Sequence, residues 1–254
     1  MRNLQNKFSA SALTVVLLLS VGLTSCDDEP VDNQPVEKEI TVTLNHKWNS
    51  KSLAFNTYYQ TAKPDSFLLS KLKYHINNFV LFDAKGNTYP GKTQYFLVDV
   101  VDGFTPTFTL GNFDGIEMVG MDFTIGVEDS ATNASAALNT KFTDPMYWAM
   151  ASGYINVKVE GRSPTGTNGQ ALFHIGGYKY PYYTAQKVHV DFTETKVKNW
   201  VGQSKIAIDV NLAEFFTSPT EYDFSILSEL ELPGQLASNY SLNWPGMFSL
   251  KSVE

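Results

Sequence analysis

The amino-acid sequence predicts an all-β fold, a single antiparallel two-sheet β-sandwich, and three observations carry that expectation. Apolar and polar residues alternate with a period of two from Ile40 onward, the runs are short, and they end in turn sequences such as Asp83-Ala84-Lys85-Gly86-Asn87. Helical periodicity is scarce, which leaves paired sheets as the way to bury the apolar faces. With 43% hydrophobic and 13% aromatic residues the 254-residue chain has the means to build a core, which argues against a disordered protein. Charged residues make up only 18%, against about 25% in an average soluble domain, and there is no basic block or heptad run. Together with a formal net charge of −7 this argues against nucleic acid as a partner.

The chain opens with Arg2 and Lys7, an apolar stretch from Ala10 to Leu23 too short to span a membrane, and Leu23-Thr24-Ser25-Cys26. This resembles the bacterial lipoprotein signal, the lipobox, which implies removal of residues 1–25 and attachment to a membrane through lipid on Cys26. An ordinary secretory signal with a chance cysteine is the other reading. Cys26 is the only cysteine, so a disulfide within the chain is impossible, and its use as an anchor explains its isolation. Residues 26–39, with Asp27, Asp28, Glu29, Pro30 and Pro35, read as an acidic flexible tether. The acidic cluster resembles the surface-export signal of one group of diderm bacterial lipoproteins. The expected location is therefore the outer membrane, facing the cell surface if the cluster is more than a solvated linker.

The remaining residues, 40–254, form the body. In the first strand Ile40, Val42 and Leu44 share a face, and continuing the register puts His46 and Trp48 on the same apolar side. A second long run places Leu72, Tyr74, Ile76, Asn78, Val80 and Phe82 on one face. Further strands are expected at Gln94–Val101, Glu117–Val127, Tyr154–Glu160, Ala171–Ile175, Lys187–Phe192 and Lys205–Val210. Asp129–Lys141 reads as a loop or one short helix, Leu212–Phe216 as a short helix, and Met247–Val253 as a final segment lying back on the body. No fixed-period repeat or composition shift marks a second domain.

Conventional enzyme signatures are missing: there is no Gly-x-Ser-x-Gly, His-Glu-x-x-His, phosphate loop or dinucleotide fingerprint. A binding protein rather than an enzyme is expected. Glu128, Asp129 and Asp144 offer carboxylates for calcium, but their spacing matches no dedicated calcium loop. Among the four histidines, His189 lies opposite Val188 and Val190 and should face solvent, and the register leaves the exposure of His75 open. His46 extends an apolar stripe, and His174 sits in Phe173-His174-Ile175-Gly176-Gly177; each is a hydrogen-bonded core histidine or a ligand. Met146-Tyr147-Trp148-Ala149-Met150 brings two thioethers, soft donors that suit Cu(I), beside an oxidisable indole. Simple core packing is the other reading of that segment.

Met146 to Ile155, then Val159-Glu160-Gly161, then Phe173-His174-Ile175-Gly176-Gly177 resemble, in order, blocks of the MbnP-like copper-binding proteins, a family associated with methanobactin gene clusters. Leu72–Asn78, Phe96–Asp99 and Phe123–Val127 fall where family members carry similar strings. The resemblance implies an extracytoplasmic β-sandwich that binds copper, and in some members a diheme, cytochrome c peroxidase-like partner of the MbnH type that oxidises a tryptophan. Carried over, the matching positions are Trp148 for the oxidisable indole and His174 and His46 as candidates for imidazole ligands; a thioether, Met150 or Met146, would stand in for the terminal histidines as the soft donor. Two departures stand out: the family's second tryptophan is Met150 here, and its histidine-bearing end is Lys251-Ser252-Val253-Glu254.

Two functions follow as expectations. The first is a lipid-anchored copper-binding protein for storage, scavenging or delivery, preferring Cu(I) at a site where His46, His174 and Met150 converge near Trp148. The second is a surface interaction module for glycan or protein that keeps the scaffold without the metal, with Tyr178, Tyr180, Tyr182 and Tyr183 as a stacking platform. Intact mass of the membrane-extracted protein should show an acylated start at Cys26; a soluble mature chain beginning elsewhere would refute the anchor.

Overall fold

The computed structural model describes residues 39–63, 65–92, 95–113, 117–128, 146–148, 153–192 and 205–254. The expected signal, Cys26 and the tether lie outside the described residues, as do Met150 and the Asp129–Lys141 segment. In chain order the strands are β1 (Glu39–Trp48), β2 (Lys51–Ser52), β3 (Tyr58–Gln60), β4 (Ser66–Asp83), β5 (Thr88–Pro90), β6 (Phe96–Asp99), β7 (Thr107–Asn112) and β8 (Met118–Ile125). They continue as β9 (Tyr147–Trp148), β10 (Gly153–Arg162), β11 (Gln170–Gly176), β12 (Gln186–Asp191), β13 (Lys205–Asn211), β14 (Glu229–Leu230) and β15 (Phe248–Val253). Two short helices, α1 (Leu212–Phe215) and α2 (Gln235–Ser241), lie near the C-terminus.

These strands make the expected two-sheet, all-β architecture. One sheet runs β15-β13-β1-β2, with β7 also on β1; the other runs β12-β8-β4-β10-β11-β14, with β3, β5 and β6 along β4 and β9 on β10. Most pairs are antiparallel, but β1 and β13 run parallel, Thr41 facing Lys205 through Lys47 facing Asn211, and so do β11 and β14. Alternation within each strand cannot reveal this, because it fixes a face and not a neighbour's direction. The inner faces share one core that includes Leu44, Phe67, Tyr74, Phe123, Phe173 and Trp244. At one end, rings of Phe67, Phe173, Phe215, Phe216, Tyr222 and Phe224 interlock at 4.9–6.3 Å between centroids.

The long strand β4 departs from simple alternation. Its inward residues are Phe67 and Leu69, then Leu72, Tyr74 and Ile76, then Phe79 and Leu81, so the phase slips twice. The slips coincide with bulges, one where Lys71 faces Glu160 but Leu69 faces Gly161, the other between Asn77 and Val80. Asn78 takes φ of 53° at the second bulge, a left-handed conformation that asparagine tolerates better than most residues. Val80 and Phe82, expected to continue the inward face, therefore turn out of the core.

Ile76 faces Phe96 and Ile125, while Tyr74 faces Val98 and Val157. Hence β6 takes one edge of β4, and β8 and then β10 share the other. Where β8 ends and β10 begins, buried side chains close the junction: Asn77 Nδ2 donates to Gly126 O (2.6 Å), Asn156 Nδ2 to Thr184 Oγ1 (2.8 Å), and Val127 N–H to Asn156 Oδ1 (2.9 Å). Glycines permit close approach at both ends of β10. A Cβ on Gly153 would stand 2.7 Å from the Tyr178 ring, and one on Gly161 would collide with the Leu68 carbonyl oxygen and the Phe67 ring.

The Gly161 collision involves backbone, so relief requires the bulge itself to move. Gly161→Ala should cost about 2 kcal/mol or more by urea unfolding, in the range of overpacked cores, while Gly246→Ala, with open space around it, should change stability by under about 1 kcal/mol. Equal effects would refute the close-approach role.

Candidate functional site

The structure separates the two histidines expected to share a metal. On β11, Phe173 and Ile175 point into the core and His174 points outward; it faces Lys158, which in turn faces Lys73 in β4. Directly opposed residues share a face and adjacent ones do not, so Tyr74 lies on the inner face of that same sheet. His46 Nε2 is 2.8 Å from the Tyr74 hydroxyl. A sheet thus stands between His46 and His174, and one ion coordinated by both is not what the fold provides. His46 lies on the inward stripe of β1 as expected, whereas His174, expected as a core histidine or a ligand, points outward on β11 beside the half-buried Leu172.

His174 is engaged on both sides: Nε2 lies 2.9 Å from Glu160 Oε1 and Nδ1 2.9 Å from Glu231 Oε1. Burial and then the Lys158 ammonium lower its pKa, against the pull of the two carboxylates. Glu160 also takes Lys71 at 2.6 Å. This is a charge network on the outer face that fastens the segment after β14 to the sheet.

His46 is different. Burial lowers its pKa to about 4, so the imidazole is neutral near pH 7, and burial raises that of Tyr74, which keeps its proton. Nδ1 of His46 is buried and has no hydrogen-bond partner among the described residues. In the tautomer whose Nε2–H donates to the phenol oxygen, Nδ1 carries a free lone pair, the state in which a hydrogen-bonded imidazole binds a metal. His46 also lines a cavity of about 340 Å3 with Asn45, Lys47, Lys51, Asp209 and Lys251. Lys251, which falls where the resemblance expects a histidine-bearing end, is therefore a neighbour of this cavity.

Trp148 lies elsewhere, half-buried where β9 pairs with Gly153 of β10. With Tyr154, Tyr178, Tyr182 and Pro233 it lines a smaller, largely apolar recess of about 110 Å3. Met146 is fully buried, and its carbonyl accepts Ile155 N–H at 2.8 Å. The histidine associated with this aromatic segment is His75, whose exposure the register leaves open: it is 1% exposed, its ring 5.4 Å from Tyr154, whose ring is 5.1 Å from Tyr147. The adjacent Asn77 and Asn78 were the sequence signal, since two amides in mid-strand mark a bulge and a face covered by polar partners. His189 is exposed as expected, stacked on Phe82 and 2.8 Å from Asp122 Oδ1.

Of the carboxylates considered for calcium, Glu128 accepts from Asn78 Nδ2 (2.7 Å) and Thr124 Oγ1 (3.3 Å), while Asp129 and Asp144 lie outside the described residues. Among the described residues no three His, Cys, Asp or Glu side chains are grouped to hold a metal ion.

The two-sheet fold and the order of its sequence blocks define a class of β-sandwich proteins, and the MbnP family matches residues 37–231. The chain belongs to the MbnP family. A solved structure of MbnP from Methylosinus trichosporium is similar at 16% sequence identity, covering 74% of this chain and 79% of that one with a TM-score of 0.48. No curated protein matches the sequence.

The depressed pKa of His46 makes a sign-specific prediction. The unfolded imidazole takes up a proton near pH 6.5 and the folded one only near pH 4, so its contribution is complete above pH 6.5 and is lost as pH falls toward 4. Urea unfolding should show roughly 3 kcal/mol lost over that window through this group, and His46→Gln should remove that part of the slope. An unchanged slope in the variant would refute the buried neutral imidazole.

Proposed function

We propose that this protein is an extracytoplasmic, lipid-anchored, non-enzymatic member of the MbnP family that takes up copper as cargo, for storage, scavenging or delivery. Family membership supports copper as the metal, and the Leu23-Thr24-Ser25-Cys26 signal supports the anchor. The observation that carries the reading is His46: a neutral imidazole held by Tyr74, with its second nitrogen buried and unpartnered. His46 supplies one imidazole donor; a soft second donor beside it would suit Cu(I), whereas Zn(II) asks for about four ligands. Trp148, half-buried beside a recess it lines with Tyr154, Tyr178 and Tyr182, is the indole on which a diheme partner of the MbnH type would act.

A surface interaction module for glycan or protein is the second reading. It is favoured by Tyr180, 93% exposed, with Tyr182 at 44% and Tyr183 at 37%, rings available to stack on a flat ligand.

The deciding measurement is Cu(I) competition against a chelator for the wild type, His46→Gln, His174→Ala and His189→Ala. His46→Gln should weaken binding by more than tenfold, over about 1.4 kcal/mol, while His174→Ala and His189→Ala stay close to wild type. Equal affinity of wild type and His46→Gln, both folded by circular dichroism, would overturn the assignment and leave the interaction module as the better reading.

A further inference from the structure

We propose that the cavity lined by His46 binds a small organic anion, a carboxylate carried on an apolar body. The proposal stands apart from the copper reading, because it rests on the cavity's lysines and apolar wall and requires no metal.

The charge at this place runs against the rest of the molecule. The chain carries a formal charge of −7, yet three separate strands deliver an ammonium group to one cavity: Lys47 from β1, Lys51 from β2 and Lys251 from β15. Asp209, the one acidic residue lining it, is taken by Lys47 at 2.6 Å. Asp102, next to the lining in sequence, is turned to the Phe55 N–H at 2.8 Å. Lys51 and Lys251 have no ion pair among the described residues, so two cations are left unbalanced. Like charges gathered around a concave place repel one another and concentrate anions from solution.

The wall opposes this charge with apolar surface. Leu53, Phe55 and Val100 line it, and Val101 and Phe104 stand at 52% and 58% exposure. The turn carrying them is closed by Phe104 N–H donating to Val101 O at 3.2 Å. Two large apolar side chains left in water beside a cationic cavity suit a ligand that is both anionic and apolar. A bare inorganic anion would use the lysines and leave this wall wet. The volume, about 340 Å3, falls at the small end of ligand sites, which span roughly 300–1,000 Å3. Lysines serve as mobile point charges without the planar fork of arginine, so they fit a class of carboxylates better than one rigid geometry.

The test is isothermal titration calorimetry of the protein at low ionic strength, with a chelator present to remove metal. The probes are phenylacetate, its neutral counterpart phenylacetamide, and inorganic phosphate. Phenylacetate should bind at least tenfold more tightly than either of the others. The double variant Lys51→Gln/Lys251→Gln and, separately, Phe104→Ser should each weaken phenylacetate at least fivefold, whereas Lys187→Gln, a surface lysine paired with Asp122, should not. The substituted side chains are exposed, and unchanged melting temperatures would verify folding. Phenylacetamide or phosphate binding as tightly as phenylacetate, equal losses in the double variant and Lys187→Gln, or no phenylacetate binding would each overturn the proposal. A protein that still takes up Cu(I) but ignores phenylacetate would overturn this inference alone; the reverse result would overturn only the copper reading.

Discussion

Keeping the eighteen-residue strand β4 in phase with the core is the constraint on which the rest of the structure depends. A strand alternates strictly, yet twist and neighbouring strands shift the direction in which the core lies along so long an element. Two bulges absorb the mismatch, and each re-aims the side chains beyond it. The first requires Gly161 on the partner strand because the Leu68 carbonyl and the Phe67 ring occupy the space of a side chain. The second requires Asn78, whose left-handed backbone lets Phe79 and Leu81 enter the core in place of Val80 and Phe82.

The same strand separates the chemistry of the molecule. Tyr74 holds His46 from the inner face, Lys73 and Lys158 sit in register with His174 on the outer face, and His75 is buried against Tyr154 where β8 gives way to β10. Each histidine thereby has its own environment: a largely buried neutral imidazole, a carboxylate-bridged network and an aromatic edge contact. Desolvation decides the first, because no charged partner offsets it, and the His46 pKa falls to about 4. At His174 burial is opposed by Glu160 and Glu231, so the group serves to fasten two elements.

The cavity beside His46 draws on strands at both ends of the sequence. β1 and β13 run parallel, which requires a crossover between them, and most of the second sheet is built in that crossover. β15 then pairs antiparallel with β13 and carries Lys251 to the same end as Lys47 and Lys51. Charge and apolar surface are thus assembled by topology, and residues near positions 50, 100 and 250 become one site.

The sequence by itself determined the all-β class, the bounds of most long strands, the short helix at Leu212, and the inward course of β1 through Leu44 to His46 and Trp48. Those features follow from local periodicity, which a single strand displays in its own residues. The family was legible as well, through ordered blocks such as Phe173-His174-Ile175-Gly176-Gly177. Only the tertiary structure decided which face of the second sheet carries His174, that His75 is buried, and that Lys251 lines one cavity with Lys47 and Lys51. The physical reason is that a period of two fixes side-chain direction only relative to neighbours in the same strand. Whether a face meets the core or water is set by bulges, by parallel or antiparallel pairing, and by what later segments lay over it.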